Sequence, residues 1–374
     1  RSRNYKGYTS DAQYDINAIV GEYNNGTLDA SNTATNVTVK VDLSDGFCKI
    51  LGTESWYEIS NLVGLTTFAK SVNSGTSYAN ETVKLTADID LENKEWTPIG
   101  KSGKTFQGTF DGQGHTISNL KTGSSQQSDV GLFGVTTNGE VKNFTLQNAN
   151  VTGYLDVGAI AGTPYTSKYT NIILCGKITV NGYAYVGGAF GKDAYAGLTN
   201  ITINADEGSY VKADSESYRT YVGGLVGFMG EGSHVVKNVT SNIDVIGSTY
   251  DVGGITGIAH YGNTFENCSS SGNVTLLDAT DEGDHLEIGG IAGVWMNEAD
   301  QTVTFTNCSF AGTLSTTLKG EDKTSELNAL HRITGNKYNR EKDTGTLIID
   351  GVIQLPQGTT PETINNVITN SKDA

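Results

Sequence analysis

The sequence predicts an all-β chain wound as a right-handed parallel β-helix, with a short N-terminal helix/β cap and a C-terminal β cap. Three observations predict it. A glycine block recurs six times, an asparagine signature recurs seven times, and successive signatures lie 24 to 40 residues apart. That period excludes heptads and fits one level of a stacked repeat.

The glycine block begins as Val130-Gly131-Leu132-Phe133-Gly134 and Val157-Gly158-Ala159-Ile160-Ala161-Gly162. It continues at Val186, Val222, Val252 and Ile288, each opening a Gly-Gly step that ends in a further glycine. The second signature reads apolar–polar–Asn–apolar around Asn119, Asn143, Asn171, Asn200, Asn238, Asn267 and Asn307. All fourteen flanking positions are apolar and all seven intervening ones polar, against a chain that is 36% apolar. Stacked levels would align these positions. The apolar pairs would make a continuous core and the seven asparagines one corner ladder, because Asn tolerates left-handed backbone and bonds its own copies. A β-propeller needs four strands per repeat, more than these short units hold, and leucine-rich repeats need regularly spaced leucines that are missing.

Composition agrees. The 374 residues include 47 Gly and 4 Pro, a mixture of short strands and tight turns. The net charge of −16 argues against nucleic acid and bare anionic membranes. No apolar run reaches the ~18 residues of a membrane span. The start, Arg1-Ser2-Arg3, has no apolar signal segment and reads as a mature fragment of a longer precursor.

Ahead of the repeats, Ser60-Asn61-Leu62 opens a helix through Leu65, Phe68, Ala69 and Val72, ending near Gly75. Then come Leu85 to Leu91, Trp96 to Gly100 and Phe106 to Ile117. Together with the Gly-Leu-Phe-Gly-type block, this order resembles the GLUG-motif family of bacterial surface proteins over about residues 56–315. The resemblance implies a β-helix in an extracellular setting, on a bacterial surface or secreted, and implies no single reaction. The expected divisions are an extra β segment or cap (1–55), helix cap and first level (56–118), repeat β-helix (119–335), and C-terminal cap and tail (336–374). Val37, Val39, Val41 and Leu43 alternate as one strand. Arg332-Ile333-Thr334-Gly335 reads as a seventh, degenerate block, with β structure from Thr346 to Leu355 covering the end. Leu355-Pro356-Gln357-Gly358-Thr359 inverts the order of a cell-wall sorting signal.

Chemistry-bearing motifs are scarce. The five histidines are scattered, and no two-histidine zinc helix, Gly-x-Ser-x-Gly elbow or phosphate loop occurs. Asp88 and Asp90 share a strand face and read as solvent-facing, while Asp111 and His115 read as turn residues. Cys268 and Cys308 occupy one inward position in successive repeats and read as free core thiols. No cofactor is expected. The weak exception is Ca²⁺ at the acidic segment holding Asp278, Asp281 and Asp284, whose spacing lacks an EF-hand pattern.

Repeat length varies at one phase only. From Asn to the next block takes 15 or 16 residues after Asn143, Asn171 and Asn238, but 23 after Asn200 and 22 after Asn267. The insertions (204–219, 276–287 and 316–328) should therefore emerge on one face and flank a trough near Ser241 to Tyr250. Tyr183, Tyr185, Tyr210, Tyr218, Tyr221 and Tyr250 collect there, offering flat faces with polar tips. The expected function is a monomeric, non-catalytic adhesion or binding module for a host or cell-surface glycan or protein, without membrane insertion. The alternatives are a structural spacer and a polysaccharide-active enzyme, which two acids converging in a groove would favour.

Overall fold

A computed structural model of the chain describes residues 39–193, 195–215, 219–279, 286–296, 302–335 and 346–353. The fold is all-β with long parallel sheets. It starts differently, as an antiparallel meander of β1 (Val39–Ser44), β2 (Phe47–Leu51) and β3 (Trp56–Ile59). Leu43 is exposed, so β1 buries less than its alternation suggests.

Helix α1 (Leu62–Ser74) forms where expected. The Asn61 side chain accepts from Gly64 N at 2.9 Å, capping the first turn, and Gly75 ends the helix at φ +123°. Leu65, Phe68, Ala69 and Val72 fall on one face and are buried. After α1, β4 (Thr82–Leu85) pairs parallel to β3, and from here to the repeats the described strands pair parallel, the one exception being an antiparallel bridge between Lys101 and Lys104.

The described strands make one 22-stranded sheet and two short sheets of five and six strands. In the large sheet the register stacks equivalent residues. Val141, Tyr169, Leu198, Val236, Phe265 and Phe305 align, as do Phe144, Ile172, Ile201, Val239 and Cys268. All eleven are buried, so the core is a set of apolar columns. Cys268 and Cys308 belong to it as free thiols.

The asparagine ladder corrects one expectation. Asn171 donates to Asn143 at 3.0 Å, Asn200 to Asn171 and Asn238 to Asn200 at 2.9 Å, Asn267 to Asn238 at 2.9 Å, and Asn307 to Asn267 at 2.8 Å. Asn119 is not in this column. It pairs instead with Asn148 at 3.0 Å, in a second corner, because Gly112-Gln113-Gly114 adds a turn ahead of it. Asp111 takes the vacated place and accepts from Asn143 at 3.0 Å. At the other end Asp350 accepts the Asn307 backbone N–H at 2.7 Å. All six column asparagines have φ between +50° and +58°.

The glycine blocks build the two short sheets. Leu155–Val157, Ala184–Gly187, Val222–Gly223, Val252–Gly253 and Ile288–Gly289 form the leading sheet. Phe133–Thr137, Ala161–Tyr165, Phe190–Asp193, Val226–Met229, Thr256–Ala259 and Ala292–Trp295 form the trailing sheet. The degenerate block joins them, Thr334 bridging to Ala292. The third insertion also carries a helix that the sequence pattern did not suggest, α2 (Thr324–Leu330), anchored by buried Leu327.

Candidate binding surface

The residue immediately before each block occupies one outward column of the leading sheet: Asp129, Asp156, Tyr185, Tyr221, Asp251 and Glu287. A parallel column on the trailing sheet carries Thr163, Lys192, Phe228, Ile258 and Val294. The last glycine of the block brings the columns together. A Cβ on Gly191 would lie 2.2 Å from the Asp156 carbonyl carbon, so only glycine lets the chain fold this closely. The result is one strip running along the stack.

Its first part is acidic. Asp129 accepts from the Thr163 hydroxyl at 2.6 Å. Asp156 lies one level on, and its Oδ1 is buried without a hydrogen-bond partner among the described residues. Burial pushes the Asp156 carboxyl up to about 7, the Asp129 charge adds to the rise, and Lys192 opposes it. Burial also raises Asp129, against the Thr163 bond and Lys192.

The middle is aromatic. Tyr185 stacks on Tyr221 with centroids 5.2 Å apart and planes at 11°. Phe228 meets both edge-on, at 5.4 and 5.0 Å. The Lys192 ammonium lies 5.8 Å from the Tyr185 ring and 5.5 Å from the Phe228 ring. Beneath, Ile258, Val294 and Met296 form a small buried cluster that supports Tyr221 and Phe228. His260 closes the side, 5.2 Å from Phe228.

The last part is a buried ion cluster. Arg219 donates two bonds to Asp251, at 2.8 and 2.9 Å, and a third group contact reaches Glu287 at 2.7 Å. Burial disfavours the Arg219 charge, yet the Asp251 and Glu287 carboxylates raise its pKa further. The guanidinium also covers the Tyr250 ring at 4.6 Å.

Of the residues singled out from sequence, Tyr185, Tyr221 and Tyr250 therefore belong to this strip. Tyr183 lies beside it, stacked on Tyr154 at 4.9 Å, with buried Ala184 separating it from Tyr185. Tyr210 sits in the large sheet opposite Thr179 and Asp244. Tyr218 lies outside the described residues. So do Asp281 and Asp284, and the Asp278 side chain, the expected Ca²⁺ ligands. Among the described residues no three acidic, histidine or cysteine side chains converge on a metal position.

The trough near Ser241 to Tyr250 is bridged. The first insertion returns to the plain repeat, with Ser215 N donating to Ser248 Oγ at 2.8 Å and Arg219 reaching Asp251. The physical reason is Asp251, fully buried and in need of a counter-charge. Sequence reading missed Asp129, Asp156, Lys192, Phe228, Arg219 and Asp251, and saw Glu287 only as part of the acidic segment considered for Ca²⁺, whereas it pairs with Arg219. The signal was present: aligning the blocks and reading one residue upstream gives Asp, Asp, Tyr, Tyr, Asp, Glu.

The chain is similar to short stretches of much longer proteins. No family model matches it. It is 39% identical to halomucin of Haloquadratum walsbyi over 151 residues, 37% of this chain and 2% of halomucin. It is 25% identical to an immunoglobulin A1 protease of Streptococcus sanguinis over 295 residues, 75% of this chain and 15% of that protein. The corresponding Streptococcus pneumoniae protein is 24% identical over 319 residues, again 15% of its length. The chain thus spans a small part of these curated relatives. Among solved structures, a candidate immunoglobulin A1 protease from Bacteroides ovatus aligns over 83% of this chain and 81% of its own, at 19% identity and TM-score 0.44.

Proposed function

We propose that the chain is a length of right-handed parallel β-helix that acts outside the cell, on a bacterial surface or in secreted form, as a non-catalytic binding module. Its ligand is a host or cell-surface glycan or protein. The observation that carries this reading is the partly buried Tyr185–Tyr221 stack with Phe228, in which Tyr221 and Phe228 rest on a buried apolar cluster. Rigid aromatic faces lose little entropy on contact and stack on sugar rings or protein side chains. The acids above and the ion cluster below supply polar groups at both ends of that platform. The names of the streptococcal relatives, immunoglobulin A1 proteases, fit a partner that is a protein.

The experiment is a glycan array together with a panel of matrix proteins and immunoglobulins. A confirmed ligand is then titrated against Tyr185→Ala and Tyr221→Ala. Each variant is expected to weaken binding about tenfold, in line with a buried aromatic contact. Unchanged affinity in both removes the strip from the interface. Silence across both screens favours the structural spacer.

A second reading is favoured by the Asp129–Asp156 pair, two acids in neighbouring levels of which one is held near 7, as a general acid of polysaccharide cleavage requires. Release of reducing ends from a polysaccharide panel by the wild type, absent in Asp156→Asn, would establish it.

A further inference from the structure

We propose a second binding site, for a neutral oligosaccharide, in a polar groove at the opposite margin of the trailing sheet. It is independent of the tyrosine strip and rests on different residues. The groove has a volume of about 290 Å³, near the lower end of the ~300–1,000 Å³ typical of small-molecule sites. Its walls are Gln107, Asn138, Thr166 and Asn80 along the bend, and Thr109, Glu140 and Lys168 along the large sheet. The last three are stacked in register, one per level, so equivalent polar groups repeat along the axis.

The lining identifies the ligand class. Amides and a hydroxyl face the space from one wall. Among the described residues the side chains of Asn80, Thr109 and Lys168 make no hydrogen bond or ion pair within the protein. Glu140 is already paired with Lys142 at 2.7 Å, so Lys168 is the one charge of the lining without a counter-ion among the described residues. A single unmatched ammonium in a chain of net charge −16 is a weak field for a strongly anionic ligand, whereas a polyhydroxylated neutral one finds donors and acceptors at successive levels.

An aromatic platform continues the groove. Tyr165 directly precedes Thr166 and is 45% exposed, and Tyr195, 55% exposed, meets it edge-on at 6.1 Å. Tyr195 in turn stacks on His234 at 5.2 Å. That imidazole is locked by Asp193 at 3.0 Å and by the Glu231 carbonyl at 2.9 Å, both nitrogens being engaged. The platform is therefore pre-organised, so little ordering is needed on binding. The bend holds Thr166 at φ +48°, a conformation costly for a β-branched residue, and the Thr166 hydroxyl bonds Asn138 across the level.

Saturation-transfer NMR and titration calorimetry on the 374-residue chain test this with cellotetraose, chitotetraose, laminaritetraose and mannotetraose. At least one is expected to bind. Gln107→Ala and Tyr165→Ala should each weaken it about fivefold. Both positions are solvent-accessible, and an unchanged thermal midpoint checks folding, with Lys168→Ala as an additional variant. Tyr221→Ala should leave this affinity unchanged. Absence of transfer to all four sugars, or affinity insensitive to all three groove variants, overturns the proposal. Loss of binding in Tyr221→Ala also overturns it, by moving the sugar to the strip.

Discussion

Replacing Asp156 by Asn should stabilise the protein in a pH-dependent way. The Asp156 carboxyl titrates near 7 in the fold against an ordinary value of 3.8. The folded state therefore holds a proton between these values that the unfolded chain has released. Stability should rise as pH falls through 7, with the gain complete near pH 4. A shift of 3.2 units corresponds to a ceiling of about 4 kcal/mol, of which relaxation around the ionised group leaves about 2 kcal/mol. Asn has no charge to bury. It also accepts the backbone at this position, where φ is +57°. Thermal melts should show the variant about 2–3 °C above wild type at pH 8, converging as pH approaches 4. An equal difference at every pH would mean that backbone preference alone is at work. A less stable variant at pH 8 would mean that attraction to Lys192 outweighs burial and would refute the reasoning.

Three further outcomes follow from the stack. Asn200 donates to Asn171 and accepts from Asn238, both at 2.9 Å, at φ +55°. Asn200→Gly should lose about 1–2 kcal/mol for the two bonds. Asn200→Ala should lose about 1 kcal/mol more for left-handed strain, the order being read from urea denaturation. Arg219→Met leaves the fully buried Asp251 without its counter-charge and should cost about 3 kcal/mol, by the same measurement. Gly191→Ala sets a methyl 2.2 Å from backbone and should lower the thermal midpoint by more than any exposed substitution in the trailing sheet.

Much of the fold was legible because stacking repeats a local pattern. The flanks of six asparagines pointed inward for one reason, and they align level by level. Helix α1 was legible from its Asn61 cap, its apolar face and Gly75. Asn119 was misplaced because its flanks have the same character in a different corner; only the turn at Gly112–Gly114 decides the register, and pattern cannot see it. The tyrosines of the strip were legible as residues beside the blocks. The acids and Lys192 were not, since exposure is the usual reading of a charged residue and their burial depends on a neighbouring level. The polar groove was invisible for a similar reason: Gln107, Asn138 and Thr166 come from three separate turns and share nothing in sequence but polarity.

The amide column has a direction. Each asparagine from Asn171 to Asn307 gives its N–H₂ to the copy before it, Asn143 gives its own to Asp111, and at the far end Asp350 accepts the Asn307 backbone N–H. Such a chain of bonds is unchanged by inserting or deleting whole units between the two terminators. Gene duplication could lengthen the molecule by roughly 4.8 Å per unit without redesigning either end. Length along the stack then becomes a property that evolution adjusts by counting, separately from whatever the side of the stack displays.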